Sequence, residues 1–270
     1  MSSIDYKEVK NKYNNIENIW TEDDPWHFYT FRKIQKFIKK EFNKLNLGYN
    51  FSLLNAGSAG NDYEIDCERH IHVDLIERNI IDKPHYIVGS IENLPLKNNE
   101  IDFILCVGSV INYADALSSI REFSRILNNE GYIILEFENS YSLEYLSSQN
   151  FKKTATIVST FYKGEEEKVW IYSHKFIKKS LEKNGFKIIK SKNLHILSPL
   201  IYKLCKNEKI ASKFTIFDNV LSRVPFLKHY SSNVILLCQK VWAIIQIVQF
   251  PFFSLIQESE LERTLMCWVI

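Results

Sequence analysis

The sequence predicts an α/β protein built around a mostly parallel sheet. From residue 50 onward, short apolar segments alternate with helical or turn-rich segments, which is typical of strands joined by crossovers. Hydrophobic residues make up 46% of the 270 residues and aromatic residues 14%, enough for a sizeable core. The predicted strands lie at 51–55, 71–75, 85–88, 101–107, 132–137, 186–190 and 233–238.

Residues 1–48 are predicted to form a helical N-terminal cap. Asp24 and Pro25 are a typical helix start, because an aspartate can cap the first turn and proline fits its first position. Apolar residues then recur at helical spacing until Gly48, where we expect the helix to end.

The main domain is expected to span residues 49–240. A helix is predicted at 115–128, where apolar residues share one face and Gly131 follows the end. A second helix is predicted from 173 to 184, before Gly185. The stretch 191–232 separates the last two predicted strands and has helical patterns of its own. We expect it to be an insertion that covers a pocket.

The C-terminal tail, 241–270, begins with sixteen residues that carry no charge. This stretch is shorter than the roughly 20 residues that span a bilayer. We expect residues 241–257 to pack against the domain or against a second copy in a homodimer. Peripheral contact with a membrane is the alternative.

Charge and cysteine content restrict the class of protein. The formal net charge of +2 does not suggest a nucleic-acid partner. The five cysteines include no CxxC pair, so we expect no metal site and no disulfide framework. The N-terminus has no apolar segment typical of a signal peptide. These features favour a cytoplasmic protein.

The segment 51–61 has the clearest functional signal. It is predicted to be a buried strand, a turn of small residues with Gly57 and Gly60, and the start of a helix. Glycines let a backbone approach a ligand closely, and the first N–H groups of a helix favour anions. The segment therefore predicts a loop that binds a nucleotide-type cofactor.

Four further segments follow in a fixed order: 71–74, 89–95, 101–113 and 122–131. Together, the block from 51 to 138 resembles the class I S-adenosylmethionine-dependent methyltransferases, particularly those that act on small molecules. The resemblance implies a Rossmann-like, doubly wound sheet with strand order 3-2-1-4-5-7-6 and an antiparallel last strand. It also implies S-adenosylmethionine as the cofactor. A nicotinamide-binding domain fits less well, because the loop lacks the full GxGxxG spacing.

The resemblance assigns cofactor-binding roles along the chain. Residues of the first loop would lie beneath the methionine part, Asp74 and Leu75 would meet the ribose, and Ser90 and Ile91 would meet the adenine. The residues implied in full are Asn55, Ala56, Gly57, Ser58, Gly60, Asp74, Leu75, Ser90, Ile91, Cys106 and Val107. Asn55 and Ser90 stand where the family usually has an acid, and Ala59 stands at the position of the second loop glycine.

Four residues are candidates for catalysis. His27 lies in the aromatic and acidic segment before the first long helix, which often closes over the cofactor in this family. Asn112 and Tyr113 follow the fourth strand and would face the methyl group. Glu138 ends the fifth strand, at the edge where open α/β sheets bind ligands. Its carboxylate could accept a proton.

The predicted activity is methyl transfer to O, N or C of a small-molecule acceptor, such as a natural-product or glycan intermediate. Methylation of nucleic-acid bases is disfavoured, because Cys106-Val-Gly-Ser stands where those enzymes carry Asp/Asn-Pro-Pro-Tyr/Phe. Two alternatives remain open. One is a membrane-surface methyltransferase with a lipid-linked substrate, and the other is a non-catalytic protein that binds S-adenosylmethionine and a partner.

Overall fold

The computed structural model describes residues 4–16, 19–162 and 165–241. The predicted tail beyond Val241 lies outside these residues. The helices are α1 (Tyr6–Asn14), α2 (Pro25–Leu45), α3 (Ala116–Ile126), α4 (His174–Lys183), α5 (Ser198–Cys205), α6 (Glu208–Lys213) and α7 (Thr215–Leu221). The strands are β1 (Ser52–Ala56), β2 (Arg69–Asp74), β3 (His85–Val88), β4 (Ile101–Cys106), β5 (Leu127–Glu138), β6 (Ala155–Tyr162), β7 (Glu165–Tyr172), β8 (Phe186–Leu194) and β9 (Asn233–Lys240).

The main sheet has seven strands in the order β3-β2-β1-β4-β5-β9-β8. Strands β1 to β5 pair in parallel, and β9 runs antiparallel to both of its neighbours. Because β8 and β9 are the sixth and seventh strands of this sheet along the chain, the predicted order 3-2-1-4-5-7-6 is confirmed. The carboxyl ends of β1, β2, β4 and β5 therefore meet at one edge.

Helices cover the two faces of the sheet unequally. Helix α2 begins as predicted, since the Asp24 side chain accepts a hydrogen bond from the His27 amide at 3.1 Å. It buries Ile34, Phe37 and Ile38 against one face. Helices α3 and α4 pack on the opposite face through Phe123 and neighbouring apolar residues.

The predicted helix after the first strand is wrong. Turns occupy residues 57–68, and the chain then enters β2 directly. Tyr63 and Glu64 have φ values of 53° and 56°, which interrupt a right-handed helix. The Asn55 side-chain amide donates to the Asn61 carbonyl at 2.6 Å and closes this turn. The loop after β1 therefore presents a folded turn rather than a helix N-terminus.

The connection between β5 and α4 contains a hairpin that the sequence interpretation missed. Strands β6 and β7 pair with each other in a separate two-stranded sheet. Val158, Val169 and Ile171 form a small apolar cluster beneath it, with Tyr113 and Tyr145 packed alongside. The hairpin thus lies over the edge where β4 and β5 end.

The insertion is shorter than predicted at its start. Strand β8 extends to Leu194 because residues 191–194 continue to pair with β9. Helices α5, α6 and α7 then occupy the connection to β9. Within the ranges that the structure describes, no helix combines the length and apolar character needed to cross a bilayer.

Candidate active site

Two adjoining cavities open at the carboxyl edge of the parallel strands. The first, which we call the strand-1 cavity, lies among the turn after β1, the end of β2 and helix α1. The second, the strand-5 cavity, lies among the end of β5, the hairpin and helices α2, α5 and α6. Five residues line both cavities: Tyr13, Ile19, Trp20, Gly108 and Tyr113. A ligand in one cavity would therefore meet a ligand in the other.

Glycine is required at the turn after β1. Gly57 has a φ of 67°, and a Cβ atom there would lie 2.4 Å from the Val110 side chain. Its amide and that of Ser58 both donate to the Val73 carbonyl, at 2.8 and 3.0 Å. The turn is thus fixed against the end of β2 and borders the strand-1 cavity.

Asp74 is the acidic group of the strand-1 cavity. Its two carboxylate oxygens accept hydrogen bonds from the Ala59 amide at 2.8 Å and the Ile76 amide at 2.9 Å. Burial raises the pKa of Asp74, although these backbone donors act in the opposite direction. Each carboxylate oxygen has a second lone pair, so the group can still accept hydrogen bonds from ligand hydroxyls.

The predicted cofactor residues divide into two groups. Those that line the strand-1 cavity are Gly57, Ser58, Asp74, Leu75, Ser90, Ile91 and Val107. Those that do not line it are Asn55, Ala56, Gly60 and Cys106. Asn55, Ala56 and Cys106 are almost fully buried in β1 and β4, which explains their absence from the wall. Direct contact by these four residues is therefore not supported by the geometry, and Asn55 instead shapes the turn.

Helix α1 closes the strand-1 cavity from above, which sequence interpretation did not identify. The Tyr6 and Ser90 hydroxyls are 3.3 Å apart, and Val9 also lines the cavity. The Tyr13 and Tyr113 hydroxyls are 2.8 Å apart at the junction of the two cavities. The available signal was the spacing of Tyr6 and Tyr13, two turns apart on one face of a helix.

The strand-5 cavity is acidic and aromatic. Its five acidic lining residues are Glu136, Glu138, Glu144, Glu167 and Glu208. Its aromatic lining residues are Tyr13, Trp20, Trp26, Tyr113, Tyr145, Phe161, Tyr162 and Tyr202. Among the described residues, no lysine or arginine side chain lines this cavity. The wall is therefore suited to a ligand with positive charge and an apolar body.

Four of the five carboxylates of this cavity, those of Glu136, Glu138, Glu144 and Glu208, lie in surroundings that disfavour their charge. The pKa of Glu138 is raised to about 8, first by burial and then by repulsion from the carboxylates of Glu144, Glu136 and Glu167. Burial also raises the pKa of Glu136, although the Asn233 amide donates to its Oε1 at 2.6 Å. Of the five glutamates, Glu167 is the only one with a lysine within ion-pair distance among the described residues. Its Oε2 lies 2.8 Å from Lys12 Nζ.

Three of the four predicted catalytic residues, His27, Tyr113 and Glu138, line the strand-5 cavity. His27 lines the strand-5 cavity, and its Nδ1 lies 2.7 Å from Asp24 Oδ2. Tyr113 lines both cavities, and its hydroxyl donates to Glu167 Oε2 at 2.8 Å. Burial, followed by the nearby Tyr13 and Glu167 groups, raises the pKa of Tyr113 well above its usual value. Glu138 lines the strand-5 cavity at the end of β5.

Asn112 does not face the cavities, which corrects the expectation for this residue. It is fully buried, and its amide nitrogen donates to the Trp170 carbonyl while its oxygen accepts the Glu138 amide at 3.2 Å. The 3-10 turn Val110–Tyr113 directs it between the hairpin and β5. Asn112 therefore supports Glu138 through the backbone.

Known proteins share both the sequence pattern and the fold. Residues 55–135 match the family model described as a methyltransferase domain. The fold is similar to an S-adenosylmethionine-dependent methyltransferase from Clostridium acetobutylicum, at 15% identity and a TM-score of 0.53, covering 87% of this chain and 98% of that one. Residues 55–135 are therefore a methyltransferase domain, and the fold is the one seen in S-adenosylmethionine-dependent methyltransferases. S-adenosylmethionine is the cofactor of this methyltransferase.

Two further proteins are similar in sequence, and one further solved structure is similar in fold. The methyltransferase is 28% identical to an uncharacterized protein of Methanocaldococcus jannaschii over 236 residues, 81% of this chain and 93% of that protein. It is also 28% identical to a second uncharacterized protein of the same organism over 145 residues, which are 47% of this chain and 57% of the relative. A Burkholderia thailandensis 1,6-didemethyltoxoflavin-N1-methyltransferase, with bound S-adenosylhomocysteine, has a TM-score of 0.51 at 11% identity, covering 87% and 86%.

The strand-1 cavity of this methyltransferase fits its cofactor chemically. Gly89 borders the cavity, and a Cβ atom there would meet nothing within 4 Å, so the wall is open beside Asp74 and Ser90. A carboxylate and a hydroxyl suit ribose hydroxyls and a purine edge, whereas Ile91 and Val107 offer apolar surface for a base.

Proposed function

We propose that this methyltransferase transfers a methyl group from S-adenosylmethionine to a nitrogen atom of a small, positively charged amine. The observation that carries the proposal is the five-glutamate, aromatic strand-5 cavity, which adjoins the strand-1 cavity at Gly108 and Tyr113. A methyl acceptor must lie beside the cofactor, and this cavity is the space that meets that requirement.

Electrostatics favours a cation over a neutral or anionic acceptor. Burying a carboxylate is costly, and the carboxylates of Glu144, Glu136 and Glu167 raise the pKa of Glu138. A bound ammonium group would remove both costs, because opposite charges within about 4–6 Å stabilise each other. The Tyr145 and Tyr202 rings in the wall could add cation–π contacts of about 0.5–2 kcal/mol each.

The cofactor would be held by Gly57, Ser58, Asp74, Ser90 and Ile91, through the turn, a carboxylate, a hydroxyl and an apolar surface. When bound, S-adenosylmethionine supplies a methyl group on a positively charged sulfonium. The acceptor nitrogen needs a lone pair, so an ammonium acceptor must first lose a proton.

Glu138 is our proposed proton acceptor. With a pKa of about 8 it lies near neutrality, where a general base is most effective. It takes one proton from the ammonium, which leaves a neutral amine. The amine lone pair then forms the N–CH₃ bond as the C–S bond breaks, and its electron pair remains on sulfur in S-adenosylhomocysteine. The product is a methylated ammonium, so charge and protons balance.

The other polar residues position the reactants. The Tyr13 and Tyr113 hydroxyls form a hydrogen-bonded pair at the junction, continued by Glu167 and Lys12. This network joins helix α1 to the hairpin and would exclude water from the reaction. His27, held by Asp24, lines the same cavity and would orient the body of the acceptor.

The test is a panel of amines, each matched with the alcohol and the carboxylate of the same carbon skeleton. The purified protein is incubated with S-adenosylmethionine, and release of S-adenosylhomocysteine and the methylated product are followed by mass spectrometry. We expect turnover with at least one amine and none with its alcohol partner, and loss of about 10²–10⁴-fold in Glu138→Gln. Turnover confined to alcohols or carboxylates would refute the amine assignment. Cofactor binding without turnover, even with cell extract, would indicate a non-catalytic protein.

A further inference from the structure

The outer side of the insertion has an unusual surface composition. Seven of the large hydrophobic residues that are exposed in the described chain fall between 204 and 226: Leu204, Ile210, Ile216, Phe217, Val220, Val224 and Phe226. Leu204 and Phe226 are 74% and 79% exposed. We call this set the insertion surface. Scattered exposed apolar residues are ordinary, but such a concentration marks an interaction site.

The fold of the insertion keeps these side chains outside. On helix α7, Asp218 is buried and its Oδ1 accepts the Leu197 amide at 2.7 Å. Asn219 bonds to Tyr29 and Lys33 of helix α2 at 3.2 and 2.9 Å. Because the polar residues anchor the helix to the domain, the apolar residues of the same helix are left facing solvent.

The exposed charges within residues 198–230, the segment that carries the insertion surface, all have one sign. Exposed basic residues alternate with the apolar ones along this segment: Lys206, Lys209, Lys213, Arg223 and Lys228. Between 198 and 230 the only acidic residues are Glu208 and Asp218. Glu208 lines the strand-5 cavity and Asp218 is buried, so neither adds an exposed negative charge to the surface.

We propose that the insertion surface binds the anionic surface of a lipid bilayer. Apolar side chains flanked by lysine and arginine are the composition of segments that lie in a membrane interface, where the apolar groups enter the lipid and the cations meet the headgroups. A partner protein with an apolar patch would explain the hydrophobic residues but gives no reason for the uniform positive charge.

The location of this surface has a consequence for access to the active site. Helices α5 and α6 contribute Pro199, Tyr202 and Glu208 to the strand-5 cavity, and the same insertion carries the bilayer-binding side chains. Membrane binding would therefore hold the cavity close to the lipid interface. The proposal concerns the surface alone and does not require the amine acceptor to be correct.

The test uses the full chain and two kinds of vesicle, pure phosphatidylcholine and phosphatidylcholine with a minor fraction of phosphatidylglycerol. Binding is measured by flotation. We expect the protein to float with the anionic vesicles, and to float less as NaCl rises from about 0.1 to about 0.5 M. The triple variant Phe217→Ser, Val220→Ser, Phe226→Ser should lower the partition coefficient by about tenfold or more.

A second variant and a matched control keep the test decisive. Lys209→Glu with Lys213→Glu keeps the apolar residues and should abolish the preference for anionic vesicles. Ile81→Ser with Tyr86→Ser changes exposed apolar residues near or in β3, on another part of the surface, and should leave flotation unchanged. Circular dichroism and cofactor affinity establish that every variant is folded.

Three results would overturn the proposal. The first is a parent protein that does not float with anionic vesicles. The second is undiminished flotation of both the serine and the glutamate variants, which would assign binding to another part of the chain. The third is a lipid-free dimer that the serine variant disrupts without any change in flotation, which would make the insertion surface a contact between copies of this chain.

Discussion

Replacing Glu138 by glutamine should stabilise the protein while it removes activity. The folded protein holds the pKa of Glu138 at about 8, against an ordinary value of 4.5. Between these values the folded state binds more protons than the unfolded state, so stability is present at low pH and is lost as pH rises through this window. Glutamine carries no charge and removes that loss.

The size of the gain follows from the pKa difference. At pH 8 the raised pKa of Glu138 lowers the free energy of unfolding by at most about 4 kcal/mol, since one pKa unit is about 1.36 kcal/mol. Glu138 is partly open to the cavity, so we expect a measured gain of about 1–3 kcal/mol in the free energy of unfolding. At pH 5 the gain should be under about 1 kcal/mol, because the folded carboxyl is already protonated there.

Urea unfolding at pH 5 and at pH 8, followed by circular dichroism, measures both values. Glu166→Gln is the matched control, since this exposed glutamate lies on the nearby hairpin, and we expect no comparable gain. The reasoning is refuted by a Glu138→Gln variant that is no more stable than the parent at pH 8. A gain that is larger at pH 5 than at pH 8 would refute it equally.

Three further predictions concern the cofactor site and its supports. Asp74→Ala should weaken S-adenosylmethionine binding about tenfold or more by calorimetry, through the loss of a charged acceptor, and equal affinity would reject its assignment. Gly57→Ala should lower the free energy of unfolding, measured in urea, by about 1–3 kcal/mol, because the φ is positive and the new Cβ would lie 2.4 Å from the Val110 side chain. Gly89→Ala is the control: its Cβ would enter open space, so the free energy of unfolding should change by no more than about 0.5 kcal/mol. Asn112→Ala should lower the free energy of unfolding by about 2–4 kcal/mol, because two buried hydrogen bonds are lost. The control Asn93→Ala changes an exposed residue and should leave the free energy of unfolding almost unchanged. Equal stability of the two variants would show that Asn112 does not support the fold.

The residues on the cofactor side of the site could be predicted from the sequence because they follow successive parallel strands along the chain. Turns after successive strands of a parallel sheet lie at one edge, so Gly57, Asp74, Ser90 and Val107 could be placed together from order alone. Side-chain direction was less accessible. Asn112 and Tyr113 are neighbours in one short turn, yet only the tyrosine reaches the cavities.

The acceptor side could not be predicted in the same way. Its carboxylates come from β5, the following turn, the hairpin and the insertion, at Glu138, Glu144, Glu167 and Glu208. Glu138 could be proposed from its place at the end of the fifth strand, but each of the other three, taken singly, has the sequence context of an ordinary surface acid. The helix expected after β1 failed for a related reason, since a turn stabilised by Asn55 replaced it without any periodic pattern to signal the change.

The sequence by itself determined the parallel sheet, through its apolar periodicity, and the resemblance to methyltransferases that implied the strand order, through the order of segments along the chain. The tertiary structure decided which side chains face the ligands, that α1 closes over the cofactor side, and that five glutamates gather around one aromatic cavity. A carboxylate raises the pKa of another carboxyl group only when the two lie close together, and folding is what brings carboxylates from distant segments together.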